Sequence, residues 1–280
     1  MAEEITLDKM KTDELINALQ DRGYFASKIP PTDSGRVFKP DLSRWNGKEL
    51  RFAVISCTHL GSRYQQITYL HDFYKLAKRE HCEFVIHAGD LVEGERVYRS
   101  QEYEIFLHGA DEQVAYAVAN YPKGLTTYMI NGNHNLSFYS TAGINVGKAV
   151  AKERDDMIFI GDYYATLDVN GLKMAVMHGA QGASYARSYK LQKIVEQLSS
   201  ENKPHFLFLG HYHISAYLPQ YRNVESFMVG CFQAQTPFLA RLGLQPVIGG
   251  WIFAVKQDES GLSSVKVNHI PFYKPIRDDF

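Results

Sequence analysis

Five short apolar runs each lead directly into residues able to hold a metal ion. RFAVIS (51 to 56) precedes Cys57-Thr58-His59, and EFVIHA (83 to 88) precedes Gly89-Asp90. LTTYMIN (125 to 131) precedes Gly132-Asn133-His134, KMAVMH (173 to 178) ends in His178, and HFLFLG (205 to 210) precedes His211-Tyr212-His213. One such string is a weak signal. Five are a strong one, because in open α/β sheets ligands bind in the crevice beyond the carboxyl ends of the strands, where residues distant in sequence meet. Histidine nitrogens, a carboxylate and an amide oxygen suit Mn, Fe, Co or Zn better than Ca or Mg. Two such ions about 3.5 to 4 Å apart clamp the attacking and leaving oxygens of a phosphoryl centre and lower the pKa of a bridging water, giving hydroxide near neutral pH. Asp90 is suited to bridge two ions, and the glycines beside Asp90, Asn133, His178 and His211 permit close approach.

These residues need strands behind them, and the runs are rich enough in branched and aromatic residues to be buried strands. Between them, apolar residues recur at helical spacing over 65 to 80, 103 to 121, 143 to 154 and 185 to 199. The alternation predicts a layered α/β fold. Beyond residue 213, the runs 226 to 230, 250 to 255 and 263 to 270 predict further strands, taken as antiparallel. Residues 1–48 differ: Ile5 to Leu19 reads as one or two short helices stopped by Gly23, and 27 to 48 as a proline-containing linker. The expected division is therefore an N-terminal helical arm and linker (1–48) and a main domain (49–280). The arm is read as a packing or oligomerisation element, which makes a homo-oligomer one expectation.

The 280 residues can bury a core without disulfides. A net charge of −1 excludes a strongly basic duplex-coating protein, and no apolar run has the length of a membrane span. The acidic N-terminus lacks a secretory pattern, so a cytoplasmic location with reduced Cys57, Cys82 and Cys231 is expected.

The five blocks, in this order, resemble the calcineurin-like metallophosphoesterase superfamily, whose pattern runs D-x-H, G-D-x-x-[DE], G-N-H-[DE], a strand-closing histidine and G-H-x-H. The run Ser-Cys-Thr-His-Leu-Gly-Ser is most similar to its nuclease-type, phage-encoded branch. The resemblance implies a four-layer α/β/β/α metallophosphoesterase sandwich, here with a short N-terminal helical extension. It implies one metal on Cys57, His59, Asp90 and His213, and another on Asp90, Asn133, His178 and His211. His134 would be the histidine that protonates the leaving group or stabilises the transition state. The cofactor expected is two divalent transition metal ions, Mn, Zn or Fe.

Two positions depart from the pattern. Cys57 replaces an aspartate; a thiolate there keeps the site and biases it toward Zn or Fe, whereas a buried inert cysteine or an introduced substitution are the competing readings. Asn135 replaces an acid and is expected to take over its hydrogen bond to His134 with less charge. His87 is expected to be hydrogen-bonded rather than ligating.

For the substrate, Arg96 and Arg99 after Asp90, and Arg187 among Tyr185, Tyr189, Lys190 and Lys193, could meet phosphate beside stacking rings. A solvated helix face with tyrosines packed inward is the bland alternative. The sequence thus favours a phosphodiesterase acting on single-stranded nucleic acid or a nucleotide, with no membrane partner. A phosphomonoesterase of small substrates and a catalytically weak binding module on the same fold stay open.

Overall fold

A computed structural model describes residues 37–40, 42, 49–180, 182, 184–200, 203–258 and 261–280. The helices expected before residue 24 lie outside these residues, as does most of the expected linker.

One sheet is parallel through β2 (Leu50–Ile55), β3 (Phe84–His87), β4 (Thr126–Ile130) and β5 (Met157–Gly161), and antiparallel where β11 (Gly249–Asp258) joins β2 and β12 (Gly261–Pro271) joins β11. The other has the order β1 (Val37–Phe38), β6 (Tyr164–Val169), β7 (Leu172–His178), β8 (Phe206–Gly210), β10 (Val224–Met228), β9 (Ala216–Tyr221). Val37–Phe38, inside the segment read as linker, pairs in parallel with β6.

The strands read as continuous apolar runs because both faces of each sheet are covered. In β2, Phe52 and Val54 point into the core between the sheets, while Ala53 and Ile55 meet the helices on the outer face. In β8, Phe206 and Phe208 point between the sheets, and Leu207 and Leu209 toward the opposite outer face. Phe52 stacks on Phe253 at 4.9 Å and meets Phe208 edge-on at 6.0 Å, which fixes the spacing of the two sheets.

Outside the first sheet lie α1 (Ile67–Arg79), α2 (Ala110–Asn120), α3 (Asn133–Ala142) and α4 (Val146–Glu153). Outside the second lies α5 (Tyr189–Gln197), held by Leu191 and Val195. The short α6 (Pro237–Arg241) follows β10. This is the four-layer α/β/β/α sandwich. Among the described residues, no helix is long and apolar enough to cross a membrane.

Four expectations need correction. The helix expected from 103 begins at Ala110, because 101–103 is a 3-10 turn and Gly109 enters at φ 89°. Helix α3 was not expected: its N-cap is Gly132, which has no side chain to signal a start, and Asp90 Oδ1 accepts the His134 N–H instead at 3.0 Å. The run at 226 to 230 is parallel to β8, although β9 joins its other edge antiparallel. Strands β5, β6 and β9 had no expected counterpart.

Candidate metal centre

The five strand ends meet at one end of the sandwich, three from the first sheet and two from the second. Beyond β2 and β3 the chain continues side by side: Cys57 N–H donates to Gly89 O (2.8 Å) and His59 N–H to Asp90 O (3.1 Å). Phe232 N–H donates to Cys57 O (3.0 Å) and Val247 N–H to His213 O (2.8 Å). These bonds, with that from His211 N–H to Cys57 Sγ, accompany φ values of 53°, 46°, 58°, 86° and 54° at Cys57, His59, Asp90, His211 and His213. A left-handed backbone costs a side-chain-bearing residue roughly 1–3 kcal/mol, so surrounding bonds must enforce it, and such strain clusters at functional sites. Glycine is required where the strand ends touch: a Cβ on Gly89 would lie 2.3 Å from His178 Nδ1, and one on Gly132 2.3 Å from Asp90 Oδ1.

All seven expected ligands fall into this cluster. Around Asp90, His178 Nε2 lies 2.9 Å from Asp90 Oδ2, 3.1 Å from Asn133 Oδ1 and 3.2 Å from His211 Nδ1, with His211 Nδ1 3.1 Å from the same Asn133 oxygen. His178 Nδ1 lies 2.8 Å from Ala88 O, and a carbonyl only accepts, so Nδ1 carries a proton. Nε2 of the same ring then faces two oxygens and another ring nitrogen. Only a cation among them, a proton or a metal, makes that arrangement favourable.

On the other side, His59 Nε2 and His213 Nε2 approach to 3.0 Å, and the ligand atoms of Cys57, His59 and His213 lie within 4.8 Å of one another. Those of Cys57, Asp90 and His178 do so as well. His213 Nδ1 is buried without a hydrogen-bond partner. The donor set fits divalent ions of the class bound by nitrogen, oxygen and sulfur.

Burial alone would raise the Asp90 pKa, but His178 and His134 outweigh it and hold the carboxyl well below its usual range. Burial and then Asp90 push the Cys57 thiol well above its ordinary value, so a metal would have to displace its proton. Sγ is 3.0 Å from Ser56 Oγ and accepts from His211 N–H at 3.3 Å.

His134 sits at the start of α3, its ring edge-on to His59 with centroids 4.5 Å apart. Its Nδ1 bonds Glu93 O, which makes Nδ1 the protonated nitrogen and leaves Nε2 as the exchangeable position. Burial pulls its pKa below the usual value, against the attraction of Asp90.

Asn135 does not take the bond expected of it. Its Oδ1 accepts from Val92 N–H at 3.2 Å and its Nδ2 donates to Asn131 Oδ1 at 3.1 Å, because α3 turns the side chain toward the β3 and β4 loops. Besides Asp90, the acid near His134 is Glu93, which is fully buried with Oε1 3.8 Å from His134 Nδ1. Glu93 Oε2 also lies 2.9 Å from His59 Nδ1, off the direct hydrogen-bond line. Burial opposes its ionisation, but His59 outweighs that and lowers the pKa. Gln101 and Gln233 donate to its two oxygens at 2.8 and 2.9 Å. Glu93 was missed as a site residue, although it occupies the last position of the G-D-x-x-[DE] block.

His87 accepts from Gly89 N–H at Nδ1 (3.2 Å) and lies 3.1 Å from Thr58 Oγ1, whose proton goes to Leu91 O. This network is satisfied by a neutral ring, and burial lowers the His87 pKa to about 3. Arg96, Arg99 and Arg187 are exposed. Tyr185 and Tyr189 are exposed too, at 107% and 47%, so these tyrosines do not pack inward.

Residues 50–228 match the family model of the calcineurin-like phosphoesterase superfamily domain. The DNA polymerase II small subunit of Methanothermobacter thermautotrophicus is 26% identical over 270 residues, covering 77% of this chain and 55% of that protein. That of Methanocaldococcus jannaschii is 24% identical over 290 residues, covering 85% and 48%. The chain thus spans about half the length of the curated relatives it matches. A phosphatase structure from Mycoplasma pneumoniae aligns with 80% of this chain and 94% of its own, at 11% identity and a TM-score of 0.43.

Proposed function

The chain belongs to the calcineurin-like phosphoesterase superfamily, and from that premise we propose that it is a dinuclear metal-dependent phosphodiesterase of single-stranded nucleic acid or nucleotides. The observation that supports this reading is the convergence of metal-type donor atoms from five strand ends around Asp90. In this reading Cys57, His59, Asp90 and His213 hold one ion, and Asp90, Asn133, His178 and His211 the other. Bound there, Mn, Zn or Fe would polarise the phosphate and make water nucleophilic near neutral pH.

The side chains divide the remaining work. Asp90, ionised and shared, sets the spacing of the two halves. His134, neutral in its resting state and tethered through Nδ1, presents Nε2 to the cleft, where it hydrogen-bonds the departing oxygen or carries a proton to it. Glu93 holds both His59 and His134 in place and favours the imidazolium that His134 becomes when it carries a proton. Arg96, Arg99 and Arg187, all exposed, are proposed phosphate contacts along the approach.

The relatives' name as DNA polymerase subunits supports nucleic acid as the diester. Hydrolysis assayed with Mn, Zn and Fe on bis(p-nitrophenyl) phosphate, p-nitrophenyl phosphate and single-stranded DNA tests the reading. Metal-stimulated cleavage of the diesters above the monoester is expected; no metal-stimulated hydrolysis of any of them overturns it.

A further inference from the structure

A cavity of about 610 Å³ lies outside the ligand cluster. Tyr64 and Arg63 come from the loop that follows His59; Phe272, Tyr273 and Arg277 come from the segment after β12. Val247, another lining residue, is the one whose N–H bonds His213 O, and Ala234 N–H bonds Tyr64 O at 2.8 Å. The cavity is therefore tied through the backbone to the loops that carry Cys57, His59 and His213.

Its walls are preformed. Asp279 accepts from Thr68 N–H and Oγ1–H at 2.9 and 2.6 Å, and Gln65 Nε2 donates to Asp279 O at 3.1 Å, which pins the 272–278 wall across the start of α1. Phe272 is stacked on Tyr69 at 4.3 Å, a rigid floor. Tyr273, by contrast, is 93% exposed on the rim, an aromatic face with little of its own protein over it. Arg277 and Arg63, whose guanidinium lies over the Phe280 ring at 5.9 Å, supply two exposed positive charges there, with the Asp278 carboxylate among them.

We propose that this cavity binds a nucleotide of a single-stranded nucleic-acid substrate, its base against the tyrosine and phenylalanine rings and its phosphates on Arg63 and Arg277. The proposal rests on the diester reading above and extends it to a strand that passes from the strand-end cluster along the 63–64 loop. Bases stack on aromatic rings whatever their sequence, while arginines follow the backbone, so the site recognises a strand rather than a sequence. The size is that of a small-molecule pocket, ample for one nucleotide.

Fluorescence anisotropy with a labelled oligothymidylate in EDTA reads binding without hydrolysis. Tyr273→Ala is expected to weaken binding about 5- to 100-fold, the range for one lost base stack. Arg277→Ala is expected to weaken it and to reduce the slope of log affinity against log salt by about 0.7. The exposed Lys123→Ala, at the opposite end of β4 from the ligands, serves as the charge control. With metal added, the loss in kcat/KM on the oligonucleotide should exceed that on bis(p-nitrophenyl) phosphate by the factor seen in binding. Parent-like binding by both cavity variants overturns the proposal and leaves the cavity to a polypeptide. Loss of binding in a protein that hydrolyses no ester would retain the cavity assignment and overturn the diesterase reading instead.

Discussion

The two halves of the ligand cluster solve the same problem with different chemistry. The half around Asn133, His178 and His211 uses only nitrogen and oxygen, and one ring already has its tautomer fixed by Ala88 O. The half around Cys57, His59 and His213 includes sulfur, and its thiol is protonated until something displaces the proton. Geometry is shared, since both halves lean on Asp90 and on left-handed backbone at the loop starts. Readiness is not. One half has no thiol proton to displace; the other must release one to complete its donor set, so acidity and metal softness should separate them.

The largest effect should come from removing what the halves share. Asp90→Asn takes a buried, paired charge from both, a change typically costing about 3–5 kcal/mol, so hydrolysis should fall by about 10²- to 10⁴-fold with loss of both metals. Hydrolysis together with metal content after dialysis checks this; two metals retained in the variant would break the shared role of Asp90.

His134→Gln should leave both halves loaded while hydrolysis drops about 10²- to 10⁴-fold, the range for a lost proton donor. Metal lost together with activity would place His134 among the ligands instead.

Cys57→Asp sharpens the contrast directly. Because the Cys57 pKa is raised, the thiol is protonated at neutral pH, and metal affinity should rise by about tenfold per pH unit as the solution proton concentration falls. A carboxylate, already ionised above about pH 4, should remove the thiol's share of that slope and shift preference from Zn toward Mn by roughly tenfold. The part due to His59 should remain, because burial would lower its pKa but Glu93 holds it above the usual value. Competition titrations from pH 6 to 8 measure both; equal slopes for parent and variant would mean that Cys57 does not ligate.

An effect on stability, not on hydrolysis, concerns the tether beneath the sulfur-containing half. The folded pKa of His87 is about 3, below its ordinary 6.5, so its contribution to stability is present above pH 6.5 and is lost as pH falls toward 3. Within that window its linkage approaches about 1.4 kcal/mol per pH unit. Urea unfolding of metal-free protein between pH 4 and 7 should show a shallower acid dependence for His87→Gln than for the parent.

Much of this was legible in the chain. Strands β2, β3, β4, β7 and β8 are buried on both faces, so each reads as an unbroken apolar run, and the polar residues that end each run mark the crevice. Helix α3 was hidden because its start is capped by Asp90, more than forty residues earlier, and not by a neighbour. The Asn135 expectation failed for a related reason: sequence adjacency to His134 suggested contact, but α3 turns the two side chains apart. Glu93 was visible as a motif position, yet its double contact with His59 and His134 depends on how the β3 loop folds beneath both rings.

Sequence alone determined the layered fold and which residue types reach the carboxyl ends of the strands, because burial and periodicity are properties of local chemistry. Tertiary structure decided the rest: which lone pairs face one another, which acid supports which histidine, and that residues 63–64 and 271–278 enclose a cavity beside the cluster. Those depend on distances between segments up to two hundred residues apart, set by the packing of two sheets and by the bonds of the closing segment.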